Sequence, residues 1–198
     1  MLNARLYYQF LPDQSYVYVR TMQMQSDPPP LQGLVVTQQS WRRLDERDGL
    51  TVMQVEEVVR ERSGPLSQPF QAPPGVRKVY LDGCGLMPKG DEEFAALSPF
   101  PVLSEDSLDE GEEWDCTESV PNSTEPMDIT YRLEEFLPGD EELCARLSSR
   151  GQTPELEVHG HYEFSVSRGL LKRAQLRVTN RLADGQTVSL QIDLALAD

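Results

Sequence analysis

Hydrophobic and polar residues alternate one by one through much of this 198-residue chain, and a period of two marks strands with one buried face. The pattern is cleanest in the last seventy residues. Met127, Ile129, Tyr131 and Leu133 oppose Asp128, Thr130, Arg132 and Glu134. Leu156, Val158, Tyr162, Phe164 and Val166 oppose Glu157, His159, His161, Glu163 and Ser165, and Val188, Leu190, Ile192, Leu194 and Leu196 oppose Ser189, Gln191 and Asp193. Strands with one wet face belong to antiparallel sheets. Pro138-Gly139-Asp140, Arg168-Gly169 and Asp184-Gly185 supply the reversal chemistry between them, so consecutive hairpins are predicted.

The N-terminal part predicts strands near 3–10, 15–25, 33–45 and 50–62, with a turn at Leu11-Pro12-Asp13-Gln14 and a longer hairpin closing at Asp48-Gly49. Residues 50–60 also fit a helical stripe through Val52, Met53, Val55, Val58 and Val59, but β-branched content after an Asp-Gly turn favours a strand. Between the halves lie Pro-rich joints at 28–30 and 63–75, a short strand at Val76–Leu81, one short helix around Asp91–Leu97 and an acidic stretch. Phe10-Leu11-Pro12-Asp13 and Phe136-Leu137-Pro138-Gly139-Asp140 are each expected to join a short hairpin, and each is followed by a long one turning at Asp-Gly, which leaves room for two related half-sheets. The expected fold is therefore all-β and mainly antiparallel. It is a curved sheet or half-barrel with at most one or two short helices, in a single domain over residues 1–198.

Charge narrows the list of partners. The formal net charge is -15, and residues 104–142 hold fifteen acids against one base, Arg132. Phosphate-rich surfaces repel such a chain at long range, which argues against nucleic acid and anionic membranes as partners. The stretch 104–126 reads as a mobile acidic insert, most so at 104–111 and 121–126, and it lacks the alternating acid order of a calcium loop. No run approaches the roughly 20 apolar residues that span a bilayer, and no leader pattern opens the chain. Those features place it in the cytoplasm, or in the cell envelope if a leader has been removed.

Candidate chemistry is sparse. Cys84, Cys116 and Cys144 are widely spaced with no CxxC, so free thiols are expected, and Gly83-Cys84-Gly85 reads as a tight turn after a strand. Glu157-x-His159-x-His161-x-Glu163 puts four metal-ligand types on one strand face, but a site would need a further ligand from a neighbouring strand; a solvated face is the simpler reading. No cofactor is expected. Trp41, Trp114, Tyr16 and Tyr18 could line an apolar groove inside a half-barrel, or simply pack as core.

Phe100-Pro101-Val102-Leu103-Ser104, followed by Leu108-Asp109-Glu110-Gly111-Glu112-Glu113-Trp114, resembles the "LP..PV..GD.W" passage of a group of uncharacterised bacterial β-rich proteins. The similar order continues through Met127–Leu133, Glu142–Leu147 and Gly160–Phe164 to about residue 195. That group is similar to the lipoprotein-carrier (LolA/LolB-like) fold, and the resemblance implies a curved antiparallel sheet over a small helical cover with an apolar interior. The leading functional expectation is a non-enzymatic binding module that presents its sheet to an apolar small molecule or to a protein. The alternatives are a metal-dependent enzyme built on His159 and His161, and a structural or assembly subunit with an acidic docking loop.

Overall fold

Nearly every alternating segment becomes a strand. The computed structural model of the chain describes residues 2–28, 30–64, 75–87, 99–118, 126–139 and 142–197. Thirteen strands occur among them: β1 (Asn3–Arg5), β2 (Ser15–Asp27), β3 (Leu31–Arg47), β4 (Leu50–Ser63), β5 (Gly75–Leu81), β6 (Leu86–Met87), β7 (Ser107–Asp109), β8 (Glu113–Glu118), β9 (Met127–Pro138), β10 (Leu143–Gln152), β11 (Leu156–Ser165), β12 (Leu170–Arg181) and β13 (Thr187–Leu196). Eleven form one antiparallel sheet in the order β6-β5-β4-β3-β2-β13-β12-β11-β10-β9-β8, and β1 pairs separately with β7.

Two meanders meet at the centre, where β2 lies beside β13 from Asp27–Thr187 to Tyr18–Leu196. The sheet is not closed, and among the described residues its edge strands are β6 and β8. Asp48 and Gly49 both take positive φ, 53° and 78°, which is the two-residue reversal that the β3–β4 hairpin requires. Register shifts near Thr37 and Leu44 bend the long strand β3, as bulges do.

The inner face carries the core. Met127, Ile129, Tyr131 and Leu133 are buried, as are Leu156, Val158, Tyr162 and Phe164, and Leu190, Ile192 and Leu194. The faces expected from alternation are thus the observed ones except at the end of β11, where Ser165, expected outward, is buried beyond the register shift at Glu163/Phe164, and β4 is a strand rather than a helix.

Three expectations need correction. The strand anticipated over 3–10 stops at Arg5; Leu6, Tyr8 and Phe10 then run through the interior without a ladder partner. Two backbone bonds fix this segment, Tyr8 N to Gly83 O at 2.9 Å and Gln9 N to Gly169 O at 2.8 Å. Gly169 has φ 65°, and a Cβ there would sit 2.6 Å from that of Gln9, so both the turn and the close approach require glycine. Phe10-Leu11-Pro12-Asp13 consequently joins an interior segment to β2 and closes no hairpin, unlike the Pro138-Gly139 turn between β9 and β10.

The acidic insert, expected to be mobile from 104, instead contributes β7 and β8, with Leu108 buried. Its acids act as turn acceptors: Phe136 N donates to Glu110 Oε1 and Asp109 N to Glu112 Oε2, both at 2.7 Å. Residues 119–125 lie outside the described residues, as does the helix expected at 91–97.

Candidate functional site

A groove lined by Trp41, Tyr16, Tyr18 and Trp114 would have to open on the inner face. Trp41 and Tyr18 are fully buried and Tyr16 nearly so, because the chain fills that space itself. Phe100 packs on Trp41 at 4.9 Å and on Tyr18 at 5.5 Å between ring centroids, and Phe10 lies 5.1 Å from Tyr16 and 6.2 Å from Trp41. The Tyr8 hydroxyl donates to Pro101 O at 2.9 Å, and Leu103 N donates to Cys84 O at 2.7 Å, tying the two interior segments to each other and to the Gly83-Cys84-Gly85 turn. Trp114 is half-buried on β8; its ring stacks on Tyr131 at 5.4 Å and its Nε1 donates to Val102 O. Among the described residues, these four aromatics therefore serve the packing.

Two polar clusters interrupt the inner face. On β2–β4, Arg20 pairs with Glu57 at 2.5 Å, both almost wholly buried, and Gln39 Nε2 donates to the same carboxylate while its Oε1 accepts from Trp41. Burial pulls the Arg20 guanidinium below its ordinary value and the Glu57 carboxylate opposes that pull. On β8–β11, the Tyr131 hydroxyl donates to Glu118 at 2.6 Å, and Tyr162 and Ser149 lie 3.0 Å apart. Burial pushes the Glu118 carboxyl up to about 7. The Tyr162 phenol is also raised, first by burial.

The outer face tells a different story. Glu157, His159, His161 and Glu163 do share it on β11, but their cross-strand neighbours are not ligands. His159 faces Arg150 and Arg177, His161 faces Ser148 and Gln175, and Glu163 faces Arg146 and Arg173. No group of three His, Cys, Asp or Glu placed to hold a metal ion occurs among the described residues. His159 Nε2 instead meets Glu157 Oε1 at 2.8 Å, and that contact holds the Glu157 carboxyl below its ordinary value. Nucleophilic chemistry finds no activated thiol either: Cys84, Cys116 and Cys144 are free, and burial pushes all three upward, Cys116 to about 11.

Here the sheet carries a shallow cleft of about 450 Å³ over β2, β13, β12, β11 and β10. Two adjacent cross-strand rows build it. The first runs Val19, Ala195, Arg173, Glu163, Arg146, and the second runs Thr21, Asp193, Gln175, His161. Val19, Thr21 and Ala195 are short and make a low floor at the junction of the two meanders, while the longer Arg173 and Gln175 rise beside it. A third row, Gln23, Gln191, Arg177, His159, Arg150, continues the surface.

His161 and Glu163 are the two members of the sequence-derived metal set that line this cleft. The arginines were not singled out from sequence, yet a signal exists: Arg146-x-Ser148-x-Arg150 and Arg173-x-Gln175-x-Arg177 each repeat at the strand period on the polar face. No helix among the described residues is long and apolar enough to cross a membrane. The chain matches no protein-family model and no curated protein.

Proposed function

We propose that this chain is a non-enzymatic binding module that engages a protein partner through the outer face of its sheet, with the cleft over the β2–β13 junction at the centre. The observation that carries the reading is the cleft's construction: an apolar floor of Val19 and Ala195, ringed by arginine and polar side chains, on regular strands that hold them rigidly. A small apolar centre with an arginine-rich polar rim is the composition of protein interfaces. An apolar small molecule inside the curve is the weaker reading, because Phe10 and Phe100 occupy the place next to Trp41 and Tyr18. Enzymatic readings lack a metal-holding group or a lowered thiol among the described residues.

Site-specific photo-crosslinking in cells tests this. A photoreactive side chain replacing Thr21, in the cleft, should give a discrete protein adduct that is lost when Ala195→Trp fills the floor or Val19→Arg charges it. Circular dichroism of both variants controls for folding. A native mass spectrum of the protein as isolated should show the bare chain. A stoichiometric bound lipid or pigment, or an adduct unaffected by either substitution, overturns the reading.

A further inference from the structure

Around the cleft, the acids are already engaged, whereas Arg173 and Arg177 are not. Asp193 accepts from Gln175 Nε2 at 3.0 Å through one oxygen and from Gln191 Nε2 at 2.9 Å through the other. Glu163 lies 3.5 Å from Lys172 Nζ. Arg173 and Arg177, by contrast, are exposed on β12 with no ion pair among the described residues, and His161 is exposed beside them. Arg150 spans to Glu113 at 3.5 Å and Arg146 to Glu135, both as surface pairs open to exchange. The outer faces of β10–β12 thus carry Arg146, Arg150, Arg173 and Arg177 against Glu157 and Glu163, a local cationic excess on a chain whose net charge is -15.

We infer that this stripe and the adjoining cleft receive an extended acidic polypeptide segment, its carboxylates on Arg173 and Arg177 and a small apolar side chain on the Val19–Ala195 floor. The inference rests on the proposed outer-face function and names the partner's chemistry. Arg173 and Arg177 are four residues apart on one strand, so their side chains stand roughly 13 Å apart along the strand, a spacing that an extended segment matches with carboxylates at alternate positions. A guanidinium takes a carboxylate through two parallel bonds, which gives orientation as well as attraction. A polyphosphate such as nucleic acid is the poorer match, because the negative field of the whole chain opposes a long polyanion while a short segment sits within the local excess.

The test uses a fluorescein-labelled peptide of alternating Glu and Val, its Lys and Val counterpart, and the full chain. Fluorescence anisotropy at low salt should show saturable binding of the Glu peptide alone. Arg173→Gln with Arg177→Gln should weaken that binding by about tenfold or more, whereas Arg47→Gln with Arg62→Gln, which removes the same charge away from the stripe, should change it by less than about twofold. Equal binding of both peptides, equal losses in the two double variants, or no loss in either overturns the inference. Should the stripe variant bind normally while Ala195→Trp still abolishes the Thr21 adduct, the acidic chemistry alone falls and the outer-face function stands. If the adduct survives as well, that function falls with it.

Discussion

The two meanders that share the sheet solve one problem, polar groups on an inward face, in opposite ways. In β2–β4 the inward polar residues are a full ion pair, Arg20 and Glu57, with Gln39 and Thr37 beside it. In β8–β11 they are hydroxyls, Tyr131, Tyr162 and Ser149, ending at a single half-buried carboxyl, Glu118, with no base against it among the described residues. A buried charge with a partner stays charged and makes each partner dependent on the other. One without a partner takes up a proton instead.

Breaking the first arrangement should have the largest effect. Arg20→Met leaves Glu57 buried with Gln39 as its one side-chain partner among the described residues, so it must either stay as an uncompensated charge or take up a proton, which should cost about 3–5 kcal/mol in urea unfolding. Even the native pair is imperfect, since Arg20 Nε and Thr37 Oγ1 are buried without a partner among the described residues. Arg20→Met combined with Glu57→Met should therefore be milder than Arg20→Met alone. If the double variant is worse than either single one, the pair is a net source of stability and the comparison between the meanders fails.

Sequence patterns made the strands and their faces legible because inward and outward environments differ at every second residue. Ile192 and Gln191 fall on opposite faces for that reason alone. The same parity carried an overlooked clue: Arg20 follows Tyr16 and Tyr18, and Glu57 follows Met53 and Val55, at inward positions where an unpaired charge is prohibitive. What parity cannot reveal is the partner of a segment. Leu6, Tyr8 and Phe10 alternate like a strand, yet their bonds run to the Gly83 and Gly169 turns. Leu108 was the one apolar residue in an acidic run, too little periodicity to predict β7. The cleft was invisible as a site because it depends on which strands are neighbours, above all β2 beside β13.

The second arrangement should respond to pH. Glu118 titrates near 7 in the folded chain, above the value of about 4.3 for an unfolded Glu, so between those limits the folded state binds more protons. Stability from this group is consequently lost as the pH rises from about 4.3 through 7. Glu118→Gln keeps an acceptor for the Tyr131 hydroxyl without the charge. It should be more stable than the parent by about 2 kcal/mol at pH 8 and match it near pH 4.5. A constant difference across that range, read by urea denaturation at each pH, would show that the carboxyl titrates normally.

The smallest effect sharpens the comparison most, because it keeps the ion-pair chemistry and changes only the burial. Glu113 on β8 sits between Arg150 at 3.5 Å and Arg132 at 3.7 Å, with all three side chains at least 41% exposed. Water solvates these groups before and after folding, so their attraction is screened and their desolvation cost is small. Arg150→Met leaves Glu113 solvated and still near Arg132. The expected loss is below about 1 kcal/mol, and it should shrink further at high salt as screening removes what attraction there is. Arg20→Met, by contrast, should be nearly insensitive to salt, since ions do not reach a pair whose side chains are each 4% exposed. Measuring both substitutions at low and high ionic strength therefore separates burial from charge. A salt-independent loss of several kcal/mol at Arg150 would mean that the outer face of β8–β10 is covered, and its arginines would then belong to the packing rather than to a docking surface.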